Sequence, residues 1–344
     1  MQFIKPGINI DFIGKRKFAF TFSLVLIVVS IATLVVHRGP RYGIDFAGGT
    51  LVQVKFEAPV TIDDIKKGLQ GMEIAASAVQ QFGQVHDNEY LIRTDVTTTA
   101  LQGLSERVEQ HLKAATGVPV EIRRVEMVGP QVGQDLREKA LFAMFYALLF
   151  ITVYISGRFE LKWAKSGIVA AAIMGAVYVL SLFDVSVPFL MLAALVVSLV
   201  IFWFFEFKYA MGAIVALIHD VTITVGLFSI FGKEFTLPIV AALLTIIGYS
   251  LNDTIIVFDR IRENLRKYHK EPMTTIVNKS INETLSRTIL TSLTTLVVVA
   301  ALFALGGGII HDFSFALLVG VLVGTYSSIY VASPILLAWQ SRRK

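Results

Sequence analysis

The sequence predicts a polytopic α-helical membrane protein of about eight spans, with one α+β domain on the far side of the membrane from the cytoplasm. Three observations predict it. Eight apolar runs are long enough to cross a bilayer, which takes roughly 17–25 residues. Lys and Arg are placed asymmetrically between the runs. One long polar segment, 37–138, alternates as strands and amphipathic helices do. The composition agrees: of 344 residues, 55% are hydrophobic and only 17% charged, where a soluble chain carries about 25%.

The first run, about 19–36, follows Lys15, Arg16 and Lys17. Signal peptides begin this way too. This run is long enough to span, and no small-residue cleavage pattern follows, so it reads as a retained first helix. The other runs are about 139–156, 166–183, 187–205, 210–231, 237–258, 289–306 and 313–339. Only Asp184, Val185 and Ser186 separate the third from the fourth, which predicts a tight hairpin or a re-entrant pair.

With the N-terminus inside, 18 of the 31 Lys and Arg fall in inside segments, and the short outside loops hold only Lys233. The other 12 lie between residues 37 and 139, too long a segment to count in the positive-inside rule. Both termini are therefore expected in the cytoplasm. The net charge of +5 follows from topology, so no nucleic-acid partner is expected.

Within 37–138, Thr50–Phe56 alternates as a strand, and Thr61-Ile-Asp-Asp64 opens a helix with a capping hydroxyl. Ala76–Phe82 and Glu89–Thr94 read as strands around a polar turn, Gln84 to Asn88. A helix at about 99–116 and a strand at about 119–128 complete a β-α-β-β-α-β order, the ferredoxin-like pattern. The domain boundaries expected are 1–36, 37–138 and 139–344.

A charge at mid-bilayer costs about 2.5–3.5 kcal/mol on insertion scales, so it is seldom idle. Asp220 stands mid-way along the fifth run, after His219 and before Thr222 and Thr224. Asn252 and Asp253 stand in the inner half of the sixth, which closes on Asp259, Arg260, Arg262 and Glu263. A carboxylate beside an imidazole inside a membrane can take up and release protons. His219, Asp220, Asn252 and Asp253 are thus the candidate proton relay. The alternative is structural: the same groups lock helices together, with Asn252 and His219 suited to interhelical hydrogen bonds. Gly320-Val-Leu-Val-Gly324 is a close-packing stripe, and Gly306-Gly-Gly308 a turn at the outer face. The chain has no cysteines, which excludes disulfides and thiolate metal sites. It shows no nucleotide loop, metal-ligand cluster or nucleophile constellation. No cofactor, no metal and no enzymatic activity are expected, so any work must draw on an ion gradient or a partner.

Gly248-Tyr-Ser-Leu-Asn-Asp-Thr-Ile-Ile-Val-Phe-Asp-Arg-Ile-Arg-Glu-Asn264 resembles the signature of the SecF family of protein-export membrane proteins. Gly43-Ile-Asp-Phe-Ala-Gly-Gly-Thr50, Val128-Gly-Pro-Gln-Val-Gly133, Ala216-Leu-Ile-His-Asp220, Thr291–Thr295 and Gly324–Ser333 carry the resemblance along nearly the whole chain. It implies a six-helix half of a resistance-nodulation-division-like transporter in the bacterial inner membrane, paired with its homologue SecD. Such a pair associates with the SecYEG channel and uses the proton gradient to draw the exported, unfolded polypeptide across after SecA has acted. In that family the acid matching Asp220 is associated with proton passage, and Arg260 and Arg262 become its candidate charge partners.

The sequence departs from the family over 161–207. The flanks of this stretch repeat, as Phe159-Glu-Leu-Lys-Trp-Ala164 and Phe205-Glu-Phe-Lys-Tyr-Ala210, and it reads as an inserted helical hairpin. Two spans leave everything downstream in its orientation. The competing functions are a proton-coupled efflux or lipid transporter subunit of the same class, and a passive scaffold. One outer domain of about 100 residues is small for an efflux pump of that class.

Overall fold

The computed structural model describes residues 8–70, 72, 78–83, 85–94, 103–183 and 185–341. Asp184, Gln84, Lys5 and the three basic residues at the C-terminus lie outside them, as do 76–77 and 99–102, the leading ends of an expected strand and helix.

The first helix, α1 (Arg16–Val36), is uniformly apolar and buries only Ala19, Ser23 and Ser30. A short turn of helix, α2 (Ile44–Ala47), then leads through Gly48 and Gly49 into the sheet domain. Gly48 holds φ at +76°, and a Cβ there would press to 2.8 Å of Pro130 Cα. This close approach brings the entry and exit strands of the domain together.

The domain consists of β1 (Gly49–Phe56), α3 (Ile62–Gly68), β2 (Ala78–Phe82), β3 (Glu89–Thr94), α4 (Leu104–Thr116) and β4 (Val120–Val128). The sheet order is β2-β3-β1-β4, antiparallel throughout, which is the ferredoxin-like arrangement. Val52, Val54 and Phe56 of β1 meet Tyr90 and Ile92 of β3 on one face, and Ile65, Leu69, Val108 and Leu112 cover them from α3 and α4. Helix α4 begins at Leu104, behind a left-handed Gly103. The expected polar turn is a single 3₁₀ turn, Val85–Asp87.

Thr61 caps α3 in both directions. Its hydroxyl accepts from the Asp64 amide at 3.2 Å and donates to the Asp64 carboxylate at 2.7 Å. That donated bond holds the Asp64 carboxyl below its ordinary value. Thr61→Ala is expected to destabilise α3 by about 1 kcal/mol near neutrality. The Asp64 share is present above the ordinary carboxylate range and fades as pH falls through the lowered value. Amide exchange in α3 at neutral and acid pH checks this: the gap between variant and parent should narrow in acid.

Seven further membrane helices follow the domain. They are α5 (Pro130–Glu160), α6 (Trp163–Ser181), α7 (Val187–Phe204), α8 (Lys208–Ile230), α9 (Leu237–Lys267), α10 (Met273–Leu305) and a last one in two parts. The last comprises α11 (Gly308–Ser327), a π-turn at Ser328–Ala332, and α12 (Ser333–Ser341). With α1, eight helical segments among the described residues are long and apolar enough to cross a membrane.

Three helices outrun their apolar runs. Helix α5 starts at Pro130 rather than near 139, α9 continues to Lys267, and α10 starts at Met273 rather than near 289. The extensions are polar, and charge and amide pairs hold them. Lys139 bonds Asp135 at 2.7 Å, and Asn264 bonds Ser280 at 3.0 Å and Glu283 at 2.8 Å. Hydropathy registers the part of a helix that meets lipid and passes over the rest.

A strap at Ile10–Gly14, which turns from Phe12 onward, is fixed to α10 by two side-chain amides. Asn282 accepts from the Ile10 amide at 2.8 Å and donates to the Ile10 carbonyl at 2.9 Å, while Asn278 accepts from the Phe12 amide at 2.9 Å. The strap and the sheet domain thus lie at opposite ends of the bundle.

The hairpin α6–α7 sits on α5 with both ends closing on one point. The Tyr209 amide donates to Glu160 Oε1 at 3.1 Å, and Lys162 Nζ donates to the Phe205 and Glu206 carbonyls at 3.0 Å each. Phe159 also stacks on Tyr209. The end of α5 therefore touches the start of α8 directly.

Candidate functional site

Helix α8 is surrounded by other helices, and small residues make that possible. A Cβ on Gly226 would overlap Ser30 of α1, and one on Gly212 would come to 3.0 Å of the Ala332 carbonyl in the π-turn. On α11, Gly320 lies against Ile246 and Gly324 against Ser250. These approaches converge α1, α8, α9 and α11 on Asp220, which is 1% exposed.

Three side chains meet the Asp220 carboxylate. Ser250 Oγ donates to Oδ2 at 2.6 Å and Ser327 Oγ to the same oxygen at 2.8 Å. His219 Nδ1 stands 2.8 Å from Oδ1. Beyond the ring, His219 Nε2 is 3.0 Å from Ser23 Oγ, which is 3.1 Å from the Tyr326 hydroxyl. Tyr326 donates its proton to the Ala19 carbonyl at 2.8 Å.

The chain of donors fixes the imidazole. Tyr326 has one proton and gives it to Ala19, so Ser23 donates to Tyr326, and His219 Nε2 must donate to Ser23. A single proton is then shared between Nδ1 and Asp220 Oδ1. It rests either as a neutral O–H···N bond or as a carboxylate–imidazolium pair. Both forms keep the outer chain unchanged, so the site can move charge between two atoms without reorganising its surroundings.

Asp253 lies in a second cluster. It is also 1% exposed, but it has a single long contact, Ser292 Oγ to Oδ2 at 3.5 Å, and its Oδ1 has no partner. Ser292 Oγ is 2.7 Å from Thr325 Oγ1.

The other expected residues stand elsewhere. Asn252 faces out of the bundle on the exposed side of α9, about 100° around the helix from Asp253, and joins neither cluster. Arg260 pairs with Glu263 at 2.9 Å and Glu283 at 3.7 Å. Arg262 donates to the Arg158 carbonyl at 3.0 Å, beside the Arg158–Asp259 pair at 2.6 Å. Arg260 follows Asp253 by seven residues, about 10 Å along the axis, so neither arginine is a charge partner of Asp220 or Asp253. They bind the strap-side ends of the helices together.

Sequence reasoning included Ser250, Ser292, Tyr326 and Ser327 only within the family-like motifs and gave none of them a role, and it passed over Ser23. Isolated hydroxyls in apolar helices commonly bond their own backbone, so nothing in the linear pattern sets these apart. Among the described residues there is no cluster of His, Asp and Glu suited to a metal.

At the sheet-side end, the acid-bearing pair α8–α9 is joined to the domain. The Gly43 amide donates to the Phe235 carbonyl and the Phe235 amide to the Arg41 carbonyl, both at 2.7 Å. Asp45 caps α9 at the Leu237 amide, 2.8 Å away. Arg93 of β3 pairs with Glu234 at 3.1 Å. The uncovered face of the sheet, with Leu51, Gln53 and Leu91, looks across a cavity of about 990 Å³ at the loops after α8 and α10.

Eight membrane helices, a ferredoxin-like module and an acid–imidazole pair closed inside the bundle define a multi-pass membrane protein of transporter-like build. The family described as "Protein export membrane protein SecD/SecF, C-terminal" matches residues 107–197 and again 180–342, and the "SecD/SecF GG Motif" matches 33–60. The protein translocase subunit SecF of Magnetococcus marinus is 44% identical, over 100% of this chain and 97% of its own length. That of Desulfurispirillum indicum is 40% identical, over 97% and 92%. Two solved structures are similar, each 31% identical. SecDF of Thermus thermophilus, described as a translocon-associated membrane protein, superposes with a TM-score of 0.69, covering 98% of this chain. SecDF in a super-membrane-facing form gives 0.59, covering 100%. This chain spans about two fifths of those SecDF chains, 39% and 40%. The chain belongs to the SecF family of protein translocase subunits.

Proposed function

We propose that this subunit couples the proton gradient to protein export, in partnership with a SecD-type half and beside a SecYEG-type channel. The observation that carries the reading is the Asp220–His219 pair, sealed where four helices meet and sharing one proton. A proton entering or leaving this pair changes how strongly Asp220 Oδ2 accepts from Ser250 of α9 and Ser327 of α11, and so shifts the relative stability of two helix arrangements. The backbone joint at Arg41–Phe235 and the Arg93–Glu234 pair give that shift a route to the sheet domain. In this reading the domain lies outside the bacterial inner membrane, the strap and both termini lie in the cytoplasm, and the domain's movement helps draw the exported chain outward. The similarity to SecDF supports the pairing with SecD, and the Lys and Arg asymmetry supports the orientation.

The test is export into vesicles containing the channel, the motor and the SecD partner, with and without this subunit. The subunit should raise gradient-dependent export, and a protonophore should remove the increment. An increment that survives the protonophore would defeat the proposal in favour of a scaffold.

A further inference from the structure

Ser327 has one proton and two acceptors. Its hydroxyl lies 2.8 Å from Asp220 Oδ2 and 3.1 Å from the carbonyl of Gly324, one turn back on its own helix. A hydroxyl donates once, so the strength of Asp220 as an acceptor decides which bond is kept. Ser327 is also the last residue of α11 before the π-turn at Ser328–Ala332.

A π-turn holds one residue more than the α-helical turn it replaces, and its carbonyls reach five residues on instead of four. The sequence accounts for where it stands. Pro334 brings no amide to the Tyr330 carbonyl four residues before it, and its ring presses on that carbonyl. Ser333 Oγ donates to the Ser328 carbonyl, five residues back, at 2.8 Å. On the facing helix α8, Gly212 leaves room for the widened turn at the Ala332 carbonyl. Beyond it, α12 is held by Trp339, whose ring lies 4.4 Å from that of Trp203 in α7.

The preceding turn is prepared for the same widening. Besides Ser327 at the Gly324 carbonyl, Ser328 Oγ donates to the Thr325 carbonyl at 2.9 Å. Widening a turn withdraws backbone amides from its carbonyls, and a hydroxyl already in place offsets the loss.

We propose that the π-turn is a movable joint in the last membrane helix. When Asp220 accepts weakly, Ser327 turns to Gly324 and the widened turn passes one helical turn towards the N-terminus, to 324–328. Residues 329–332 then rotate by about 100° around the helix axis, while α12 stays in place. The joint takes its trigger from the coupling reading and adds to it the helix segment that moves.

Tyr330 reports the rotation. Its ring sits 5.9 Å from that of Phe12 in the strap and 5.1 Å from that of Tyr326, and the rotation changes both contacts. 3-Fluorotyrosine is placed at position 330 alone, and fluorine NMR is recorded on the complex with the SecD-type partner in lipid nanodiscs. Two resonances are expected, one for each position of the joint. Ser327→Ala removes the hold of Asp220 and Pro334→Ala removes the stop, so each should raise the second resonance about threefold, the worth of one modest hydrogen bond. Ser328→Ala strips a hydroxyl that the shifted turn uses and should lower it by about the same factor. A single unmoved resonance in the parent and all three variants overturns the joint, and so does a change in the same direction in all three, which would be general loosening. If the resonances respond as expected but a protonophore leaves the export increment intact, the coupling reading falls and the joint stands.

Discussion

Asp220→Asn is expected to remove the gradient-driven increment of export, a loss of at least tenfold in the stimulated component, while the chain still folds and assembles. Asparagine has the shape of aspartate, and its carbonyl oxygen can still accept from Ser250 and Ser327. It cannot share a proton with His219 Nδ1. Its amide either donates to that nitrogen permanently or turns away, and both outcomes freeze one arrangement. Neutral hydrogen bonds replace charge-assisted ones, so the change in stability should stay within about 1–2 kcal/mol. Ser327→Ala removes one of two donors to the same oxygen and should reduce the increment without abolishing it. Export measured with and without a protonophore, on variants confirmed to co-purify with the SecD partner, reads both effects. Full stimulation by Asp220→Asn would rule out a proton role for this residue.

Gly320→Leu is expected to have the largest effect on stability. A Cβ at this position overlaps the Ile246 side chain of α9, and forcing side-chain atoms into a packed contact costs about 1–3 kcal/mol or more. The residue is two turns before Ser327 on the same face of α11, so any displacement there also withdraws Ser327 from Asp220. Thermal unfolding in detergent should show a lowered Tm and the export increment should fall with it. Gly167→Leu is the control, since open space surrounds that position. Equal Tm values for the two variants would show that the α9–α11 contact does not hold the bundle together.

Much of the architecture was legible because lipid and water impose strong patterns. Apolar runs marked every span, and alternation marked β1 and β3, where Val52, Val54 and Phe56 face the core. The ends were less legible. The polar N-terminal stretches of α5 and α10 are held by pairs such as Asp135–Lys139 and Glu283–Asn264, which a hydropathy reading does not register. At the site, Asp220 and His219 stood out because charge in an apolar run is costly. Their serine partners come from three other helices, and no linear spacing joins Ser23 to Ser327. Arg260 and Arg262 were expected beside Asp220 by resemblance alone, but they stand on the polar extension of α9, where Glu263, Glu283 and the Arg158 carbonyl hold them. Asn252 misled through adjacency, because the next residue on a helix faces elsewhere.

The meeting of Glu160 with Tyr209 bears on how such a chain is put together. The repeat that flanks the hairpin recurs at a spacing of 46 residues, from Phe159 to Phe205. At that spacing the counterparts of His219 and Asp220 are Ile173 and Met174. The two family matches overlap within this stretch, at 180–197. The hairpin has the form of a repeated helix pair, with apolar residues at the positions that correspond to His219 and Asp220. Its two ends form a splice point at which the flanking helices already touch. Ancestral chains could acquire or discard such a pair in one genetic event, changing the number of crossings by two and relocating neither carboxylate.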